Sequence, residues 1–328
     1  MKDRESETQY PDFRTSKLIV PSIETTACGK AIIVGEHAVV YGAHAVAIPL
    51  HQMRFRFHMT PKPSRNGHAP EVHLKLAGHE GSPRLQAVVI KAMQLLGIDA
   101  FSLDGETHSS LPIGAGLGSS ATLCVAVLRA LSQSHAITLS NTQLATFANE
   151  LEKSFHGNPS GLDTAVVAFE KPVLFAKKRE IKMISIDAGQ SFEFVLIDSN
   201  IRASTMSMIR IAQPYFTGAN GDSHIDRFDQ LSLAAYQSLQ SGNTLGLAAS
   251  MNEAGHLLED AGVVPANLFD MIIQTRALGA LAVKSTGAGG GGMIIGLLDP
   301  NHCDEHHKRI VDHFKGHGVY RVTLNSSL

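Results

Sequence analysis

The chain has 328 residues, 44% hydrophobic and 18% charged, and its 28 Lys and Arg nearly balance 30 Asp and Glu for a net charge of -2. That balance excludes the basic footprint of a nucleic-acid binder, and no apolar run reaches the roughly 20 residues needed to span a membrane. The length suits two domains sharing a cleft, and Cys28, Cys124 and Cys303, in no Cys-x-x-Cys spacing, point away from a disulfide framework or zinc site and toward a reducing, cytoplasmic compartment.

Residues 1–17 are polar and mixed in charge and read as a flexible tail. Lys30–Val34 and Ala45–Leu50 read as strands, and Met53, Phe55 and Phe57 alternate with Arg54 and Arg56 as a half-buried strand should. Residues 67–83, rich in Pro, Gly and His, read as a loop or ragged hairpin. Leu85, Val88, Val89, Ala92 and Leu96 then mark a helix closed by Gly97, and a short strand is expected at 98–103.

The stretch Leu111–Ala121 is the most informative in the chain. Gly114, Gly116 and Gly118 let backbone N–H groups approach an anion, and a helix starting near Ser119 adds unpaired N-terminal donors and a positive dipole end. It has neither the Walker ending nor the spacing of a dinucleotide loop, so by itself it is a phosphate cradle or a plain helix cap. The segment after it, 121–131, is too apolar for a surface helix and gives the loop a core base.

Asn141 can cap a helix in which Leu144, Phe147, Ala148, Leu151 and Phe155 recur at helical spacing. Glu152 falls at the margin of that stripe and leans inward, unlike Glu150 and Lys153. The turn-forming run His156–Asp163 then delivers Asp163 onto a new apolar segment, 164–169. After a boundary between 177 and 191, strands are read at 192–197, 281–284, 293–298 and 319–324. Helices are read near 204–211, 225–240, 245–258 and 267–278, with another after Pro300. His302 and His306, four apart, have metal-ligand spacing, but polar residues at a helix start need no metal. The pattern is an α+β sandwich, with domains placed at 18–185 and 186–328.

Four segments, Ala27–Gly42, Pro112–Ala121, His156–Asp163 and Ser285–Gly292, together resemble the GHMP kinases, named for galactokinase, homoserine kinase, mevalonate kinase and phosphomevalonate kinase. The resemblance spans most of the chain. Within the family, Gly35–Gly42 and His156–Asp163 resemble the members that phosphorylate mevalonate. Cys28 stands where the family usually has proline, Met293 where cysteine is common, and Ile201–Thr205 lacks the usual Pro-Arg arrangement. The fold implied is a ribosomal-protein-S5-domain-2-like N-terminal domain followed by a ferredoxin-like C-terminal one.

The resemblance implies ATP on a cradle of Pro112, Gly114, Ala115, Gly116, Leu117, Gly118, Ser119, Ser120 and Ala121, with Mg2+ held by Ser120 and Glu152. It implies Asp163 as the base toward the acceptor hydroxyl, with Lys30 beside it to meet charge on the transferred group. Glu36, His37 and Thr205, with Lys30 and Asp163, are the residues it puts around the small-molecule acceptor, expected to be mevalonate. The run 286–292 is expected to bring the second domain's backbone against the first. A homodimer is left open.

Overall fold

The computed structural model describes residues 21–62, 71–76, 78–99, 101–157 and 159–326. The tail expected at 1–17 and part of the 67–83 loop lie outside the described residues, as does Asn158.

The first seven-stranded sheet comprises β1 (Ile23–Val34), β2 (Ala45–Lys62), β3 (Val72–Leu76), β4 (His79–Glu80), β5 (Ser102–Ser109), β6 (Val173–Phe175) and β7 (Lys182–Met183), in the order β4-β3-β5-β2-β6-β7, with β1 also pairing β2. The helices of this half are α1 (Pro83–Leu95), α2 (Ser119–Ser134), α3 (Asn141–His156) and α4 (Leu162–Phe169).

Three local expectations shift. The two strands read at 45–50 and 53–57 are one, because β1 pairs with both stretches, through Leu50 and again from Arg54, across a register shift between them. Pro49 falls between the stretch that pairs with β6 (Ala45–Ala47) and the one that pairs with β5 (Phe55–Lys62), where its missing N–H breaks no bond on that flank. The strand expected at 98–103 begins only at Ser102. Ile98 is instead used to stop α1: Gly97 takes φ 65 and the Ile98 N–H reaches back to the Met93 carbonyl, a helix-ending turn of the Schellman kind. The cap of α3 is Ser140 rather than Asn141, in a reciprocal capping box with Gln143.

The second sheet comprises β8 (Ser191–Asp198), β9 (Ala280–Thr286), β10 (Met293–Leu298) and β11 (Val319–Asn325), antiparallel throughout in the order β11-β8-β10-β9. Between β8 and β9 run α5 (Thr205–Thr217), α6 (Gly221–Ser241), α7 (Thr244–Asp260) and α8 (Ala266–Ala277), and α9 (Cys303–His313) joins β10 to β11. Numbered within this half, the strand order is 4-1-3-2 of a ferredoxin-like βαββαβ unit whose first crossover is expanded to four helices. Helix α2 is buried on nearly every face, including Ala121, Cys124, Val125, Leu128 and Leu131, as its composition required. Among the described residues no helix is long and apolar enough to cross a membrane.

Candidate active site

Strand β1 organises the site through alternate residues. The Lys30 N–H donates to the Leu117 carbonyl at 3.0 Å, which fastens the glycine loop to the strand. Two residues on, the Thr286 hydroxyl accepts from the Ile32 N–H at 2.9 Å and donates to the Ile32 carbonyl at 3.0 Å, which fastens the second half of the chain to the same strand. The two glycine runs therefore meet. A Cβ on Gly292 would lie 2.7 Å from the Ala115 carbonyl oxygen, and one on Gly116 would lie 3.3 Å from that of Thr286, so backbone packs on backbone with no side chain between.

Gly118 serves two purposes. At φ 79 it is the left-handed residue before α2, and a Cβ there would stand 2.9 Å from Lys30 Cγ. Its bareness lets the Lys30 stem pass over the loop to Asp163, where Nζ meets Oδ2 at 3.0 Å. Asp163, in the first turn of α4, is delivered as its motif suggested. The Lys30 side chain is 3% exposed and that of Asp163 30%, so the carboxylate is the open partner.

The N-terminus of α2 has no side-chain cap, leaving its first N–H groups free for an anion. Ser119 and Ser120 begin the helix. The Ser120 hydroxyl donates to Glu152 Oε1 at 2.7 Å, and His156 Nε2 stands 3.1 Å from the same Oγ. Glu152 is buried, as its place on the helix wheel required. Burial pushes its carboxyl up to about 7, with the negative charge of Asp163 adding to the rise. Burial also holds His156 below the usual histidine range, against the pull of Asp163. A buried carboxylate beside a hydroxyl and a second carboxylate is a hard-oxygen set that suits Mg2+, which keeps several waters and needs few protein ligands.

The expected acceptor residues fall in three different settings. Glu36 is wholly buried and paired with Lys284 of β9, whose ammonium also donates to the Ser285 carbonyl at 2.6 Å. Burial pushes Glu36 up and Lys284 down, and each partner opposes the other's shift. His37, at φ 59, has its Nε2 2.9 Å from the Ala288 carbonyl oxygen and its ring stacked toward Phe216, which also stacks on Tyr41. Burial holds His37 below the usual histidine range. Thr205 is exposed at the start of α5. Two residues escaped the sequence reading. Lys284 sat in a short apolar strand with no signal of its charge's use, and Arg202 binds Asp198 through two 2.7 Å hydrogen bonds while its Nε donates to the Ile113 carbonyl of the glycine loop.

A separate cluster brings ligand atoms of Cys28, His51 and Glu170 within 4.8 Å of one another. Its chemistry is that of an ion network. Glu170 is engaged by Arg129 at 2.6 Å and Arg54 at 3.2 Å, and burial pushes the Cys28 thiol up to about 12, so the thiolate a metal would need is strongly disfavoured. His302 and His306 lie with ring centroids 5.6 Å apart, His302 turned to Asp299 at 3.3 Å. All three cysteines are free thiols.

A helix N-terminus without a side-chain cap behind a glycine loop, with a Lys–Asp pair and a Ser–Glu pair close to one another beside it, suits the transfer of a phosphoryl group to a small molecule. The profile described as GHMP kinases N terminal domain matches residues 85–171, and that described as GHMP kinases C terminal matches residues 235–313. Mevalonate kinase of Methanothermobacter thermautotrophicus is 31% identical over 275 residues, covering 82% of this chain and 88% of that protein. Mevalonate kinase of Aeropyrum pernix is 28% identical over 302 residues, covering 88% and 92%. The crystal structure of L. major mevalonate kinase in complex with R-mevalonate superposes with a TM-score of 0.79 at 22% identity, over 95% of this chain and 99% of that one. The chain belongs to the GHMP kinase family and has its two-domain α+β fold.

Proposed function

We propose that this protein is an ATP-dependent kinase that phosphorylates the primary hydroxyl of mevalonate to give 5-phosphomevalonate. The observation that carries this reading is the Lys30–Asp163 pair set beside the free N-terminus of α2. Mevalonate is favoured as acceptor by the relatives that match over most of both chains and by the run 35–42.

In the proposed reaction the triphosphate lies along Gly114–Ser120, its negative charge met by backbone N–H groups and the dipole of α2. Asp163 accepts the proton of the substrate hydroxyl as its oxygen forms a bond to the γ-phosphorus, the bond from that phosphorus to the β-phosphate oxygen breaks, and ADP leaves. Lys30, fixed by the strand and nearly excluded from water, orients Asp163 and stabilises negative charge on the transferred group. Ser120 and Glu152 would hold Mg2+, which when bound neutralises charge on the phosphate oxygens. Glu36, tied to Lys284, shapes the floor of the acceptor pocket, and His37 and Thr205 border it. The free thiols suit a cytoplasmic enzyme.

A coupled assay of ADP release with mevalonate, phosphomevalonate, homoserine and galactose in Mg-ATP tests the proposal. Turnover with mevalonate well above the other three is expected. Turnover confined to another acceptor overturns the substrate, and no ADP release with any of them overturns the kinase reading.

A further inference from the structure

His156 is the last residue of α3, one helical turn beyond Glu152 and therefore on the same face. Gly157, at φ 65, ends the helix immediately after it and sets the ring at the helix end. There its Nε2 faces Ser120 Oγ at 3.1 Å, while the Ser120 hydroxyl donates to Glu152 at 2.7 Å. Ser120 thus stands between a carboxylate and an imidazole, with one proton and two lone pairs to share between them.

That balance has to change if Ser120 and Glu152 grip a cation. A hydroxyl bound to a cation through a lone pair carries its proton on the side away from the cation. It therefore stops donating to the carboxylate oxygen that itself binds the ion, Glu152 Oε1 in the bond seen here. Its proton needs another acceptor, and the imidazole nitrogen at 3.1 Å is within reach.

We infer that His156 is a positioning residue of the cation site, whose Nε2, in the tautomer protonated at Nδ1, accepts the Ser120 hydroxyl proton and turns the Oγ lone pair toward the ion held with Glu152. This rests on the Ser120–Glu152 assignment proposed above. It gives the histidine of the 156–163 run a task separate from that of Asp163. It is also the kind of outer hydrogen bond that fixes the direction of a metal ligand.

The test is binding of Mn2+, as a stand-in for Mg2+, to the full chain with AMP-PNP, read from the electron paramagnetic resonance signal of free Mn2+. Wild type is compared with H156L, H156N, H156Q and E152Q. A glutamine amide reaches about as far as Nε2, whereas an asparagine amide stops near the level of Nδ1. H156L and H156N are expected to weaken Mn2+ binding about tenfold or more, and H156Q to stay within about threefold of wild type. An unchanged far-ultraviolet circular dichroism spectrum in all of them reports an intact fold. Unchanged Mn2+ affinity in H156L and H156N, with E152Q weakened, overturns the role of His156 alone. Unchanged affinity in E152Q as well overturns the Ser120–Glu152 assignment. H156Q as weak as H156L reduces His156 to packing and overturns the hydrogen-bond role.

Discussion

Lys284 of β9 and Glu36, just beyond β1, form a wholly buried ion pair that joins the two halves of the chain. Two charges removed from water are stable there only as a pair, so removing one leaves the other uncompensated. K284M should lower the unfolding free energy by about 3–5 kcal/mol in urea titration, while E36L/K284M, which removes both charges, should recover most of that loss. A double variant as unstable as K284M would show that the pair is not the origin of the effect.

The Lys30–Asp163 pair should divide chemistry from binding. D163N is expected to lower kcat by about 10²–10⁴-fold, with nucleotide binding retained in a fluorescence titration. K30M should lower kcat by about 10²–10³-fold, and the double variant should lose much less than the product of the two, because in the proposed reaction both residues act on one proton and one developing charge. Multiplicative losses would separate the two roles.

The contact of the two glycine runs predicts the effect of one methyl group. Gly292 has φ 74, and its Cβ would lie 2.7 Å from the Ala115 carbonyl oxygen. G292A should therefore cost about 2 kcal/mol of stability, part of it from the left-handed backbone and part from prising the runs apart. The cradle proposed for ATP includes Ala115, so KM for ATP should rise more than kcat falls. Steady-state kinetics at varied ATP would read the split.

Glu170 contributes to the acid limb of stability. Its burial would push the carboxyl up, but hydrogen bonds and charges from Arg129 and Arg54 outweigh that and hold it below the usual glutamate value. Because the folded state binds the proton less readily than the unfolded one, this contribution is full above the unfolded pKa near 4.5. It is lost as pH falls through the lower folded value. E170Q should be less stable than wild type by about 2 kcal/mol at pH 7, with the gap narrowing steadily below pH 4.5 in urea midpoints. A gap independent of pH would return Glu170 to a packing role.

Local chemistry made much of the site legible. The φ > 0 positions of Gly114, Gly116 and Gly118, the inward lean of Glu152 and the turn that delivers Asp163 all follow from rules acting over a few residues. The same rules failed at Ile98, where a residue of strand character ended a helix, and at His51 and Gln52, where two strands read separately run on as one. In both cases the deciding partner is set by neighbours rather than by the residue itself.

The sequence by itself determined most of the elements and the glycine turns, because glycine conformations and helical periodicity are fixed by adjacent residues, and it carried the family through the resemblance of four motifs. Only the tertiary structure decided that Lys284 neutralises Glu36, that Thr286 clasps Ile32, that Arg202 reaches Ile113 and that His156 faces Ser120. The first three of these join residues 89 to 254 positions apart, and the fourth joins the starts and ends of different helices. A charge or hydroxyl carries no mark in the sequence of the partner that burial will force upon it.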